Sequence, residues 1–101
     1  MAKTIEIVNF RLAPGVSNED FLAETRTMER DFLGKLHGFL DRDTGRSSEG
    51  DWIVVLHWAA PEDAQASMDK FVASEGTKSF TSKIDMSTFR MTRYELRDHY
   101  Q

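Results

Sequence analysis

A chain of 101 residues and 11.6 kDa has room for one hydrophobic core and not for two. With 40% hydrophobic and 11% aromatic residues it is too apolar to stay disordered, and the absence of cysteine excludes disulfides, thiolate metal sites and thiolate nucleophiles. Acidic residues outnumber basic ones by 17 to 13, with both signs scattered, so the net charge of -4 comes without the basic face that a nucleic-acid binder needs.

Residues 4–12 read as a strand. Ile5, Ile7, Asn9 and Arg11 form one row, and Glu6, Val8, Phe10 and Leu12 the other. Ala13-Pro14-Gly15-Val16 turns the chain. Ser17 is a good N-cap, with Asp20 placed for most of a capping box. Phe21, Leu22, Thr25, Met28, Phe32 and Leu33 then recur at threes and fours, which predicts an amphipathic helix over 18–33 ended by Gly34 in a left-handed conformation.

A second strand is expected over 38–44, a polar hairpin loop over 44–50 and a third strand over 51–58. In the third strand Trp52, Val54, Leu56 and Trp58 alternate with Ile53, Val55 and His57. Pro61, Glu62 and Asp63 suit the first turn of a helix whose apolar stripe is Ala64, Met68, Phe71 and Val72, interrupted at Gly76. A short turn over 77–83 should bury Phe80 and Ile84. A last strand is expected over 88–96, followed by a polar tail over 97–101.

Strand, helix, strand, strand, helix, strand is the split βαβ order of a ferredoxin-like α+β fold. It predicts one antiparallel four-stranded sheet with both helices on one face, in a single domain over 1–101 with its core over 4–96. In the first and third strands both rows are apolar for most of their length, whereas a half-solvated sheet would be polar along one row. The uncovered face therefore calls for a partner sheet, and a homodimer is expected. No run approaches 18 apolar residues, and Glu6 stands where a signal peptide would be apolar. The expected location is the cytoplasm, with neither membrane nor nucleic acid as partner.

Four segments carry a family resemblance: Ile5-Glu6-Ile7-Val8-Asn9-Phe10-Arg11-Leu12, Gly38-Phe39-Leu40, Val54-Val55-Leu56-His57-Trp58 and Ala59-Ala60-Pro61-Glu62-Asp63-Ala64. Together they resemble the dimeric α/β-barrel superfamily, and within it the antibiotic-biosynthesis-monooxygenase-like domains. The resemblance implies two ferredoxin-like protomers packed sheet against sheet, and a small-molecule pocket between helices and sheet. Members of that family oxidise polycyclic aromatics with molecular oxygen and no metal or flavin, degrade haem, or are stress-linked. Asn9 matches the functional first-strand Asn of the haem-degrading branch. That branch's second-helix Trp falls near Ser67, and its helical His has no counterpart, since no His lies between His57 and His99. Haem degradation is accordingly not expected. Trp58 matches a structural Trp of the family.

Candidate chemistry rests on few residues. The Asn9 amide can orient a phenolate, carbonyl or dioxygen-derived group, or be a satisfied polar group near a strand end. His57 can act as a base near neutral pH, or be structural. Tyr94 offers an ionisable hydroxyl. His37 stands where it can reach a pocket mouth. Phe39, Trp52 and Trp58 can wall a planar ligand or simply fill the core. Arg90 can neutralise a ligand acid or pair with a surface carboxylate.

His37, His57 and His99 lack metal-ligand spacing, and neither a P-loop nor a dinucleotide fingerprint occurs. No metal or cofactor is expected. The expected activity is cofactor-independent monooxygenation of a small aromatic or quinol-like compound, with Asn9 and His57 handling its proton and developing charge. The alternative is a non-catalytic, small-molecule-binding or stress-associated homodimer.

Overall fold

The computed structural model describes residues 3–74 and 77–101. Strand β1 (Thr4–Leu12) lies inside the sheet between β3 (Trp52–Trp58) and β4 (Ile84–Glu95), and β2 (Phe39–Arg46) completes the order β2-β3-β1-β4. All three pairings are antiparallel. With helices α1 (Asn18–Asp31) and α2 (Pro61–Ala73) and the short α3 (Lys78–Thr81), this is the ferredoxin-like βαββαβ fold. No helix among the described residues is long and apolar enough to cross a membrane.

The helices cover the even-numbered rows of β1 and β3. Thr4, Glu6 and Phe10 are buried on β1, as are Trp52, Val54, Leu56 and Trp58 on β3. Phe21 of α1 is the central knob. It is fully buried, edge-on to Phe10 at 5.4 Å and to Trp52 at 4.9 Å, and tilted against Phe80 at 5.5 Å. The Ser17 hydroxyl accepts from the Asp20 backbone N–H at 3.1 Å, so the expected cap is present.

Helix α1 stops two residues earlier than its apolar spacing predicts. Phe32 leaves the helical region (φ −128°, ψ −72°) while its N–H still donates to the Met28 carbonyl, and Leu33–Lys35 tighten into a 3-10 turn. Gly34 is not left-handed. It is needed for close approach, because a Cβ there would lie 2.8 Å from the Glu29 carbonyl oxygen. Between α1 and β2 the left-handed glycine is Gly38, at φ 82°, which leads into β2 beneath Asp63.

Strand β2 runs on to Arg46, opposite Trp52, so the hairpin loop is shorter than expected. Ser47 closes it by donating its N–H to the Asp51 carbonyl at 2.8 Å and accepting the Asp51 N–H on its hydroxyl at 3.0 Å. Strand β4 begins at Ile84 rather than at residue 88. Its first stretch hides from an alternation test because the β1–β4 register jumps between Asn9 and Arg11. There the Thr88 hydroxyl accepts the Arg11 N–H at 2.8 Å and donates to the Asp85 carbonyl at 2.6 Å, replacing the ladder.

Phe80 and Ile84 are buried as expected, but Val72 is 76% exposed and does not belong to the α2 stripe. The expected interruption at Gly76 lies outside the described residues.

Phe21→Ala should cost about 3–5 kcal/mol of folding stability, the range for removing a buried aromatic side chain. Urea unfolding measures it; a loss under about 1 kcal/mol would contradict the central place given to this ring.

Candidate functional site

The strand pairings set Arg93, Glu6, Leu56 and Arg42 in one row across the sheet, beneath the helices. Glu6 is only 5% exposed. A carboxylate at that depth needs donors, and it has two. Arg93 Nε donates to Oε2 at 2.7 Å, and Trp58 Nε1 donates to Oε1 at 3.3 Å. Arg93 is itself held by Gln65 Oε1 at 2.7 Å and the Ala64 carbonyl at 3.5 Å, which ties α2 to the sheet. At the other end of the row Arg42 donates from Nε to Glu29 on α1 at 3.2 Å and from Nη1 to the Thr44 hydroxyl. Leu56 lies between Glu6 and Arg42, so their backbones stand roughly 9–10 Å apart at normal strand spacing.

Above this row is a cavity of about 80 Å³. Its floor includes Val8, Val54 and Met91, and its roof includes Met28, Met68 and Phe71. The polar groups on its wall are Glu6, Arg42, Thr25 and Ser67. The Thr25 hydroxyl is committed to the Leu22 carbonyl at 2.8 Å. Ser67 is 7% exposed, and its hydroxyl has no protein partner among the described residues. Three of the lining side chains are methionines, which change shape at little cost.

None of the residues that the sequence singles out lines this cavity. Asn9, His57, Tyr94 and Arg90 belong to the rows facing away from the helices. Asn9 pairs with Ile53 while His57 pairs with Ile5, so the two are four residues apart along the sheet, roughly 13 Å, and do not meet. Asn9 does meet Arg90, its register partner, in a shallow groove with Arg11, Asp51, Ser87 and Thr88.

Trp52 and Trp58 are core side chains. Phe39 packs edge-on to Trp58 at 5.4 Å. The His37 side chain is 94% exposed, 3.8 Å from Asp63.

Sequence reasoning overlooked four residues. His57 has an orienting acid after all: its Nδ1 lies 2.6 Å from Asp41 Oδ1, across the β2–β3 pairing. The register runs unbroken from Arg46 opposite Trp52 to Asp41 opposite His57, so a count along the hairpin from its true closing pair would have found the contact; the irregularity at Leu40 lies beyond it. Glu6, Arg42 and Ser67 were overlooked too. For Glu6 the available signal was a charged residue inside an apolar row, which is rare unless paired; Arg42, among polar neighbours on β2, and Ser67 gave no such signal.

Among the described residues no three His, Asp or Glu side chains cluster as a metal site would require. At the exposed end of α1, the hydrogen bond from Arg30 at 2.9 Å lowers the Asp31 carboxyl and raises the guanidinium; neither group lines the cavity.

No family model matches this chain, and no curated protein does. Solved structures match over nearly the full length of both chains. SnoaB of Streptomyces nogalater, described as a cofactor-independent oxygenase, aligns at a TM-score of 0.76 and 10% identity, covering 98% of this chain and 97% of its own. A monooxygenase from the gene ActVA-Orf6 of Streptomyces coelicolor, in complex with the ligand nanaomycin D, aligns at 0.76 and 12%, covering 99% and 92%. A candidate antibiotic biosynthesis monooxygenase from Bordetella bronchiseptica aligns at 0.77 and 16%, covering 96% and 99%. At such identities the likeness is one of fold, and the fold is the one these antibiotic-biosynthesis-monooxygenase-like structures share.

Arg93→Met should destabilise the protein by about 3 kcal/mol, because it strips a buried carboxylate of its ion-pair partner and one of its two donors. Adding Glu6→Leu should recover most of that loss. A double-mutant cycle by urea unfolding reads the coupling; strictly additive losses would mean the pair is not coupled.

Proposed function

We propose that the cavity between helices and sheet holds a small aromatic, quinol-like molecule, and that the chain acts on it as a cofactor-independent monooxygenase. The observation that carries this reading is the composition of the cavity wall: apolar almost throughout, with a carboxylate, a free hydroxyl and a guanidinium placed on it. The fold likeness to SnoaB supports it.

The reaction in view converts a hydroquinone and O₂ into a hydroxyquinone and water. One oxygen atom stays on a ring carbon, and the other leaves as water with two hydrogens of the quinol. In this reading the apolar wall holds the ring and excludes water. Glu6 serves as proton acceptor for the ring hydroxyl, Ser67 donates to the phenolate that passes an electron to O₂, and Arg42 holds the oxygen at the far end of the ring. Asn9 and His57, on the other face, do not touch the ligand.

A second reading, a binder without catalysis, is favoured by one specific observation. Both Glu6 oxygens are already held, Oε2 by Arg93 and Oε1 by Trp58, an arrangement that serves the structure without any proton transfer.

An oxygen electrode with a panel of hydroquinones and anthrones separates the two readings. Catalysis predicts oxygen uptake above a protein-free control, lowered about tenfold or more in Arg42→Met. Ligand binding without uptake would favour the binder.

We also propose that a second copy covers the other face of the sheet. Ile5, Ile7, Ile53 and Val55 form its apolar centre, with Asp41 and Asp43 along the β2 side and Arg90 and Tyr94 along the β4 side. Ile53 is 37% exposed and Tyr94 52%, an apolar patch with a polar rim of the kind a partner surface shows. Light scattering should give a mass near twice 11.6 kDa, and Ile7→Lys should halve it. A monomer across a broad concentration range would overturn this assembly.

A further inference from the structure

The charged row on the cavity floor constrains the ligand beyond its being aromatic. Each charge is already matched: Glu6 by Arg93, and Arg42 by Glu29. A guest bringing a net charge would leave it unbalanced in a dry space. Hydrogen-bonding capacity is not used up, however. A carboxylate can accept about four hydrogen bonds, and Glu6 accepts from Arg93 and Trp58. Arg42 uses Nε and Nη1, leaving Nη2 without a partner among the described residues. The Ser67 hydroxyl is also unpartnered. One end of the row thus offers an acceptor, and the other, beyond Leu56, offers a donor.

Size narrows the class further. A cavity of about 150 Å³ holds one benzene ring, and this one measures about 80 Å³. One ring enters if Met28, Met68 and Met91 turn aside; three fused rings exceed the space between helices and sheet as it stands.

We infer that the cavity selects a neutral, single-ring phenol with a hydrogen-bond acceptor para to its hydroxyl. The hydroxyl is directed to Glu6 and Ser67, and the acceptor oxygen to Arg42. This rests on the reading of the cavity as a ligand site, but not on whether catalysis follows.

Four probes of nearly one shape separate the contributions: para-hydroxyacetophenone, para-methylacetophenone lacking the hydroxyl, para-isopropylphenol lacking the acceptor, and para-isopropyltoluene lacking both. Binding is followed by NMR of isotope-labelled methionine methyls. Met28, Met68 and Met91 report the cavity, and Met86, half exposed and not lining it, is the internal control.

Para-hydroxyacetophenone should bind about tenfold more tightly than either singly deleted probe, and about a hundredfold more tightly than the hydrocarbon. That order is the reverse of what apolar transfer alone would produce. Ser67→Ala should reduce the advantage of the hydroxyl, and Arg42→Met should abolish that of the carbonyl. Glu6→Gln risks misfolding because it disturbs a buried ion pair, so these two variants carry the test, and their retained binding of the hydrocarbon shows that they are folded.

Equal affinity for all four probes, or a preference for the hydrocarbon, would overturn the polar selection and leave the cavity as a ligand site. No shift of the three cavity methyls with any probe would overturn both.

Discussion

Glu6 is a carboxylate in the wall of a small hydrophobic core, and its neighbours are arranged around that fact. Left alone it would cost far more than a domain of this size can carry. Its two donors come from β4 and β3, and the first of them is gripped by α2. One charge thus fastens three strands and a helix together at the end of the cavity. The same demand explains why Trp58, an ordinary core residue by burial, has its indole N–H turned toward β1.

The two faces of the sheet divide the chemistry. Beneath the helices lie an apolar cavity and paired charges with spare hydrogen-bonding capacity. On the other face lie the His57–Asp41 pair and the Asn9–Arg90 pair, separated by isoleucine and valine. A histidine held by a carboxylate at 2.6 Å looks like catalytic equipment when met in isolation. Its position argues for a different use. It lies at the edge of an apolar patch on an open sheet face, with no enclosed volume to hold a substrate among the described residues. In the proposed assembly the pair stands at the edge of the contact between copies.

Fold likeness and site chemistry carry different weight. Structures aligned along nearly the whole chain include oxygenases, one of them in complex with the ligand nanaomycin D. One fold hosts many activities, so the residues on the cavity wall have to carry the functional reading themselves. Here they favour a small neutral ring, because the space is tight and its charges are balanced within the protein.

The element order, the single core and the ferredoxin-like topology were legible in the sequence, because alternation in β1 and β3 and the three-four spacing in α1 are strong local signals. Boundaries were less so. Phe32 and Leu33 continue the helical spacing of α1 past its real end, and the stretch Asp85-Met86-Ser87-Thr88, with a single apolar residue, conceals the start of β4 behind a register jump. The site was hardly legible at all. Asn9 and His57 were correctly placed on strands, but both rows of β1 and β3 are apolar, so nothing local says which row the helices cover. A shift of one residue exchanges the faces. Packing decides it: the row with Phe10, Trp52 and Trp58 matches the ring of Phe21, and so Glu6 goes in and Asn9 stays out. Local sequence determines where strands and helices form, because periodicity is a property of neighbouring residues. Which side chains meet across them is a property of the whole packing, and only the tertiary structure settled it.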